Sequence, residues 1–297
     1  LGLAQGFFEF AKEKKPYINF FVYGDKSPKQ IIEKEIGRKY RLRFRLRFSS
    51  WIKSNKYANS TIKKSDIIVI DSYLAPQKRY FEIYAILKKA NPRAKFVCID
   101  DYNRIQYPLN SIVINPSIYG DRLKYPKGKN ITYLLGRNYI ILRKPFWKVP
   151  KRRIRKNIKD ILITLGGTKH TNFVKNLMRF LTKKYPQYNY HIVGEYKLDE
   201  LNNSKIKTYF NLDALQMRNL MLKCDLAISG GGQATYELAR VGIPTIGICF
   251  AENQLLNLKY GEKEGYLEFA GWHNENKASG KFYLKIEKFK NKDIQFM

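Results

Sequence analysis

Three observations predict an α/β fold with parallel sheets in two domains. Short apolar strands alternate with helical periods along nearly all of the 297 residues, the pattern of repeated βαβ units. A basic stretch with no apolar period, KVPKRRIRKN at 148–157, separates two such series. In the second series, ISGGGQATYELARVGIPTI at 228–246 sets three glycines between a buried strand and a helix start. The length suits two domains of ordinary size, and 44% hydrophobic residues supply two cores.

The first series opens in helical period, with Leu3, Phe7, Phe10 and Ala11 on one face. Parallel α/β domains ordinarily open with a strand, so a strand and its ligand-binding loop are expected upstream of Leu1. Residues 17–23 then read as a strand and 28–37 as a helix. RKYRLRFRLRF at 38–48 alternates basic with apolar or aromatic residues, as a half-exposed strand does. SDIIVIDSY at 65–73 is a buried strand, 76–90 a helix, and AKFVCIDDY at 94–102 the next strand. Both strands end in acidic residues at the edge where open parallel sheets place ligands, although Asp71 and Asp101 read first as helix caps. Strands near 111–115 and the segment 133–146 complete a first domain at 1–147, followed by a basic linker at 148–158.

The second domain, 159–297, reads as strand 160–165, helix 172–184, strands 190–193 and 205–210, and helix 212–222. Strand 225–229, helix 234–241, strand 244–249 and helix 253–261 follow, with a closing helix in 281–297. Gly230, Gly231 and Gly232 admit positive φ and a close backbone approach, so their amides can face an anion. The dipole of the helix from Ala234 adds positive potential at the same place. Glu237, one turn in, can accept hydrogen bonds from the ribose of a nucleotide whose phosphates occupy the loop.

Lys and Arg number 56 against 25 Asp and Glu, a formal charge of +31 that admits nucleic acid, a membrane surface or an anionic substrate. No aromatic RNP or zinc-finger motif accompanies the basic strand, so nucleic acid is not expected, while peripheral membrane contact stays open. Cys98, Cys224 and Cys249 lie far apart in apolar strands, as reduced, buried cytoplasmic thiols do. His170, His191 and His273 are isolated, and neither a metal nor another cofactor is expected. Apolar runs fall far short of a membrane span, and residues 1–15 lack the pattern of a secretory leader. A monomer is the default for such a chain.

Six segments, in order, carry a resemblance: VIDSY (69–73), CIDDY (98–102), LLGRNYIILRKPF (134–146), ILITLGGTKHTN (161–172), CDLAISGGGQATYELARVGIPT (224–245) and FAENQ (250–254). With these the chain resembles the UDP-2,4-diacetamido-2,4,6-trideoxy-β-L-altropyranose hydrolases of pseudaminic acid biosynthesis, relatives of the peptidoglycan N-acetylglucosaminyltransferase. The resemblance implies two Rossmann-like domains in the GT-B arrangement. It implies metal-free cleavage of a UDP-sugar by water, with inversion at the anomeric carbon, in bacterial surface glycan synthesis. It places Gly166, Gly167 and Thr168 beside the diphosphate, Ser229, Gly231, Gly232 and Gln233 in the cradle, and Glu237 on the nucleotide. Asn253 and Gln254 then face the sugar, with Tyr73 reaching it from the first domain; Tyr73 and Asn253 are assigned to catalysis. The family's general-base histidine falls upstream of Leu1, and none of the three histidines present matches it. A glycosyltransferase of the same fold and a basic nucleotide-sugar or RNA-binding module are the rival readings.

Overall fold

The structure is a computed structural model, and it describes residues 2–10, 16–23, 32–33, 43–53, 56–126, 130–152, 155, 157–166, 170–198 and 203–274. The chain forms two compact units, Leu1–Ile141 and Leu142–Met297.

In the first unit, helix α1 (Gly2–Phe10) packs Ala4 and Phe8 on the apolar side chains of β1 (Ile18–Val22) and Leu46 of β2 (Phe44–Phe48). These two strands pair in parallel, Ile18 opposite Phe44, and the half-exposed strand expected in 38–48 is β2. The helix expected at 28–37 lies almost entirely outside the described residues. A four-stranded parallel sheet follows, β3 (Ile67–Asp71), β4 (Lys95–Ile99), β5 (Ile112–Asn115) and β6 (Thr132–Leu135), in that spatial order. Helix α2 (Lys56–Lys63) precedes it and α3 (Gln77–Ala90) joins β3 to β4. Tyr80, Ile83 and Leu87 recur at helical spacing on α3, and they pack with Phe96, Cys98 and Val113 of the sheet.

The second unit is one six-stranded sheet whose pairs are all parallel. Its strands are β7 (Asp160–Thr164), β8 (Asn189–Val193), β9 (Ile206–Tyr209), β10 (Leu226–Gly230), β11 (Thr245–Cys249) and β12 (Glu268–Trp272), in the order β12-β11-β10-β7-β8-β9. Helices α4 (Thr171–Lys184), α5 (Ala214–Lys223), α6 (Ala234–Val241) and α7 (Glu252–Lys263) fill the connections. β7 shows why its sequence is an unbroken apolar run: Ile161 and Ile163 face one core with α4, while Leu162 faces another with α5 and α6. An Asp213–Gln216 capping box starts α5, and Gly242 at φ 75° ends α6 in a left-handed turn.

The division between units falls upstream of the basic stretch. Phe146 is fully buried in the second unit's core, where Arg240 donates to its carbonyl at 3.1 Å. Arg152 donates to the carbonyls of Gly242 and Asp225, and Arg155 reaches the carboxylates of Asp160 (2.6 Å) and Asp225 (3.0 Å). Arg152 and Arg155, which show no period in the sequence, thus bind at the amino ends of β7, β10 and β11. The closing helix expected in 281–297 lies outside the described residues.

Candidate functional site

The strand order of the second unit reverses between β7 and β10: the chain leaves β7 toward β8 and β9, then returns to the other side through β10. Loops after the two strands that flank such a reversal diverge and leave a crevice at their carboxyl ends, the usual ligand position of open parallel sheets. Those loops are the segment from Gly166 and the glycine run Gly230–Gly232.

Packing, rather than backbone conformation, demands glycine at Gly230 and Gly231. None of the three adopts the left-handed φ that glycine admits. A Cβ on Gly230 would stand 2.9 Å from the Leu165 carbonyl oxygen, and one on Gly231 would stand 2.7 Å from Gln254 Cβ and Leu258 Cγ. Gly232 has nothing within 4 Å and, like Gln233, is exposed. The tip of the loop is therefore open to a ligand while its base is closed. Gly166, at φ 89°, is the glycine here that needs its conformational freedom.

Two side chains of α7 hold the loop. Gln254 Oε1 accepts from the Gly231 amide at 3.2 Å and the Phe250 amide at 3.1 Å. Asn257 Nδ2 donates to the Gly231 carbonyl at 2.7 Å and to Thr235 Oγ1 at 2.9 Å, and Thr235 in turn donates to Gly232. The Gln254 carbonyl expected to face a sugar is thus committed to the cradle. Ser229, fully buried, donates its hydroxyl to the Gly230 carbonyl at 3.0 Å. Asn253 is exposed in the first turn of α7, whose N-cap is Ala251, so it does not cap the helix. Gly167 and Thr168 lie outside the described residues.

Glu237 sits in the first turn of α6 at 2% exposure, and Arg143 meets it as a bidentate partner: Nε to Oε1 and Nη2 to Oε2, each 2.7 Å. Arg143 and Asn257 were not singled out in the sequence. The one available signal for Arg143 was a lone arginine in the apolar run YIILRKPF, close to a proline.

His170 packs on Phe250 (centroids 4.2 Å) and near His273 (5.5 Å). Burial and then the His273 charge hold its imidazole below the usual histidine pKa. It has the place of a loop residue against an aromatic cluster.

Tyr73 belongs to the first unit, just past the end of β3 and 50% exposed. Its hydroxyl donates to Asp101 Oδ2 and its ring stacks on Tyr102 at 6.0 Å. Asp71 and Asp101 are not helix caps: Pro76 is the N-cap of α3, and Ser72 Oγ accepts from the amides of Leu74 and Ala75. Burial pushes the Asp101 carboxyl up, the Tyr73 hydrogen bond opposes this, and the charges of Asp71 and Asp100 add to the rise. Arg104 ties the two strand-end loops together by donating to the carbonyls of Ser72 and Ala75. The cysteines are free and buried, as expected. No helix among the described residues is long and apolar enough to cross a membrane.

No protein-family model matches the chain. Three curated proteins align with it. "Uncharacterized protein MJ1062" of Methanocaldococcus jannaschii is 29% identical over 253 residues, covering 74% of this chain and 50% of its own length. The pseudaminic acid cytidylyltransferase and UDP-2,4-diacetamido-2,4,6-trideoxy-beta-L-altropyranose hydrolase of Helicobacter pylori is 29% identical over 204 residues, covering 68% and 37%. The spore coat polysaccharide biosynthesis protein SpsG of Bacillus subtilis is 25% identical over 226 residues, covering 68% and 61%. The chain thus spans less than two thirds of the length of each. Among solved structures, MurG of Acinetobacter baumannii shares the fold at TM-score 0.57 and 9% identity, over 97% of this chain and 86% of that one. Arabidopsis thaliana UGT89C1, complexed with UDP-L-rhamnose, does so at 0.58 and 8%, over 97% and 85%. The α/β class of two Rossmann-like domains read from the sequence is the fold found, and the chain is similar to proteins named for a pseudaminic acid UDP-sugar hydrolase and for spore coat polysaccharide biosynthesis.

Proposed function

We propose that the protein cleaves a UDP-linked acetamido-deoxy sugar with water, releasing UDP and the free sugar with inversion at the anomeric carbon, in the pseudaminic acid pathway of bacterial surface glycans. The observation that carries the reading is the juxtaposition on one helix of an open glycine cradle at its start and the buried Glu237 one turn later. That spacing suits a diphosphate followed by a ribose. The hydrolase named in the Helicobacter pylori relative supplies the reaction class.

In this reading the diphosphate lies at Gly231, Gly232 and Gln233, with Gly166 and Ser229 beside it, and Gly167 and Thr168 have the role that the resemblance implies. Glu237 takes the ribose hydroxyls, Asn253 and the amide nitrogen of Gln254 face the sugar, and Tyr73 has the catalytic role that the resemblance implies. Water adds to the anomeric carbon while the bond to the β-phosphate oxygen breaks. The bonding pair leaves with UDP, whose charge the loop amides stabilise, and the water proton passes to a general base. The base is the histidine that the resemblance implies upstream of Leu1. The reaction proceeds in the cytoplasm, on a monomer, without a cofactor.

A transferase reading draws on the first unit, where Arg45 is exposed on β2 and its guanidinium lies 5.7 Å from the Tyr17 ring, a basic, aromatic surface suited to an anionic acceptor. The two readings part in one assay. UDP release from a 2,4-diacetamido-trideoxy UDP-sugar, with no acceptor and with a chelator present, is expected for the hydrolase carrying its upstream histidine. Release that requires an added sugar or lipid acceptor sinks the hydrolase and favours the transferase.

A further inference from the structure

We propose that Arg143 is a positioning residue of the nucleotide subsite, fixing the Glu237 carboxylate as the acceptor for the two ribose hydroxyls; the inference rests on the nucleotide reading above. Its ground is the closed geometry of the pair. Both carboxylate oxygens are engaged by one guanidinium at 2.7 Å, and the Glu237 side chain is 3% exposed against 24% for Arg143.

An ionised carboxylate offers two lone-pair directions on each oxygen. The guanidinium fork takes one from each, which sets the plane of the carboxylate and leaves the second pair on each oxygen. A vicinal diol has two donors at matching spacing. An ammonium group could supply the charge but not the fork, so lysine would leave the plane free to turn. Without a cation, the cost of holding this carboxylate away from water would go uncompensated.

Arg143 is itself held in register. It is the N-cap residue of a short 3₁₀ turn at Lys144–Phe146, and its guanidinium lies 5.6 Å from the buried Phe146 ring. Arg218 of α5 donates to the Pro145 carbonyl, and Arg240 of α6 donates to those of Phe146 and Trp147. The turn that carries Arg143 is thus fastened to the helix that carries Glu237. Residues 94 positions apart in sequence become one unit.

The test compares UDP with 2′,3′-dideoxy-UDP by calorimetry, on the full chain and on Arg143→Ala, Arg143→Lys and Glu237→Gln. The unaltered chain is expected to prefer UDP on the order of tenfold, the size of one or two net hydrogen bonds. Arg143→Ala and Glu237→Gln should both bring the ratio to about one, with Arg143→Lys between. A loss of fold would lower both affinities together, so the ratio reports positioning alone. Should Arg143→Ala fail to fold, Arg143→Lys carries the test: a ratio below that of the unaltered chain supports the role of the fork, and an unchanged ratio overturns it. A preference for UDP that survives in Arg143→Lys and the alanine variant, while Glu237→Gln abolishes it, overturns the role of Arg143 and leaves the nucleotide reading standing. Equal binding of both ligands by the unaltered chain, or none, overturns both.

Discussion

Asn257 Nδ2, on the helix after β11, donates to the Gly231 carbonyl at 2.7 Å and so fastens the glycine loop to a helix it does not adjoin in sequence. Asn257 is buried, and its amide also reaches Thr235. Asn257→Leu should leave the Gly231 carbonyl without this donor and cost about 1–3 kcal/mol, the penalty for a buried group left unpaired. Urea unfolding measures that loss, and titration with UDP should show a weaker complex. Unchanged UDP affinity in a folded Asn257→Leu would show that the loop needs no such support.

Neighbouring glycines should respond in opposite ways. Gly231→Ala presses a methyl to 2.7 Å from Gln254 Cβ and Leu258 Cγ, an overpacking expected to cost about 1–3 kcal/mol. Gly232→Ala meets nothing within 4 Å, so its stability should stay within about 0.5 kcal/mol of the parent. Its methyl instead stands where the anion is proposed to lie, and UDP binding should weaken. Thermal melts and UDP titrations on the two variants check this crossed pattern; a stable, fully binding Gly232→Ala would remove the diphosphate from that tip.

Acid should release one specific set of contacts. Burial pushes the Asp160 carboxyl up, but the hydrogen bonds from His191, Arg155 and Asn189 outweigh it and hold it below the usual range. An unfolded aspartate titrates near about 3.9, so the stabilisation is complete above that pH and disappears as pH falls through the lower folded value. Asp160→Asn should therefore unfold at lower urea than the parent at pH 7, and the gap should close below about pH 4. A gap that stays constant to pH 3 would assign the effect to shape rather than charge.

The Tyr73 hydroxyl, held by Asp101, should matter to turnover more than to binding. If UDP release from the sugar is the reaction, Tyr73→Phe is expected to lower kcat on the order of tenfold with KM little changed, as for loss of an orienting group. Asp101→Asn keeps an acceptor oxygen and should lose less. Steady-state UDP release measures both, and a Tyr73→Phe enzyme at full turnover would confine that tyrosine to the strand end.

Elements whose apolar period is complete were legible in the sequence. The helix at 234–241 has the bounds expected of it, because a strand, three glycines and Gly242 punctuate it on both sides. Helix α2 was not, since among its described side chains Ala58 and Ile62 alone enter the core. Strand β12 was not either: EFAGW has a glycine in it and pairs with β11 through a register shift. In the candidate site, chain-local features such as the glycine run and the place of Glu237 one turn into the next helix could be read directly. What the glycines are for could not, because the close neighbours of Gly231 come from α7. The pairing of Arg143 with Glu237 was hidden for the same reason, as local pattern holds no record of which distant group will face a side chain.

Arg143, Arg152, Arg155, Arg218 and Arg240 all spend their guanidinium groups on oxygen atoms of their own unit. They behave as girders, and the solubility and polyelectrolyte behaviour implied by a formal +31 must come largely from other cations. Efforts to make the protein easier to purify or crystallise by trimming its charge should therefore start with exposed lysines such as Lys78, Lys89 and Lys95, and spare these five arginines.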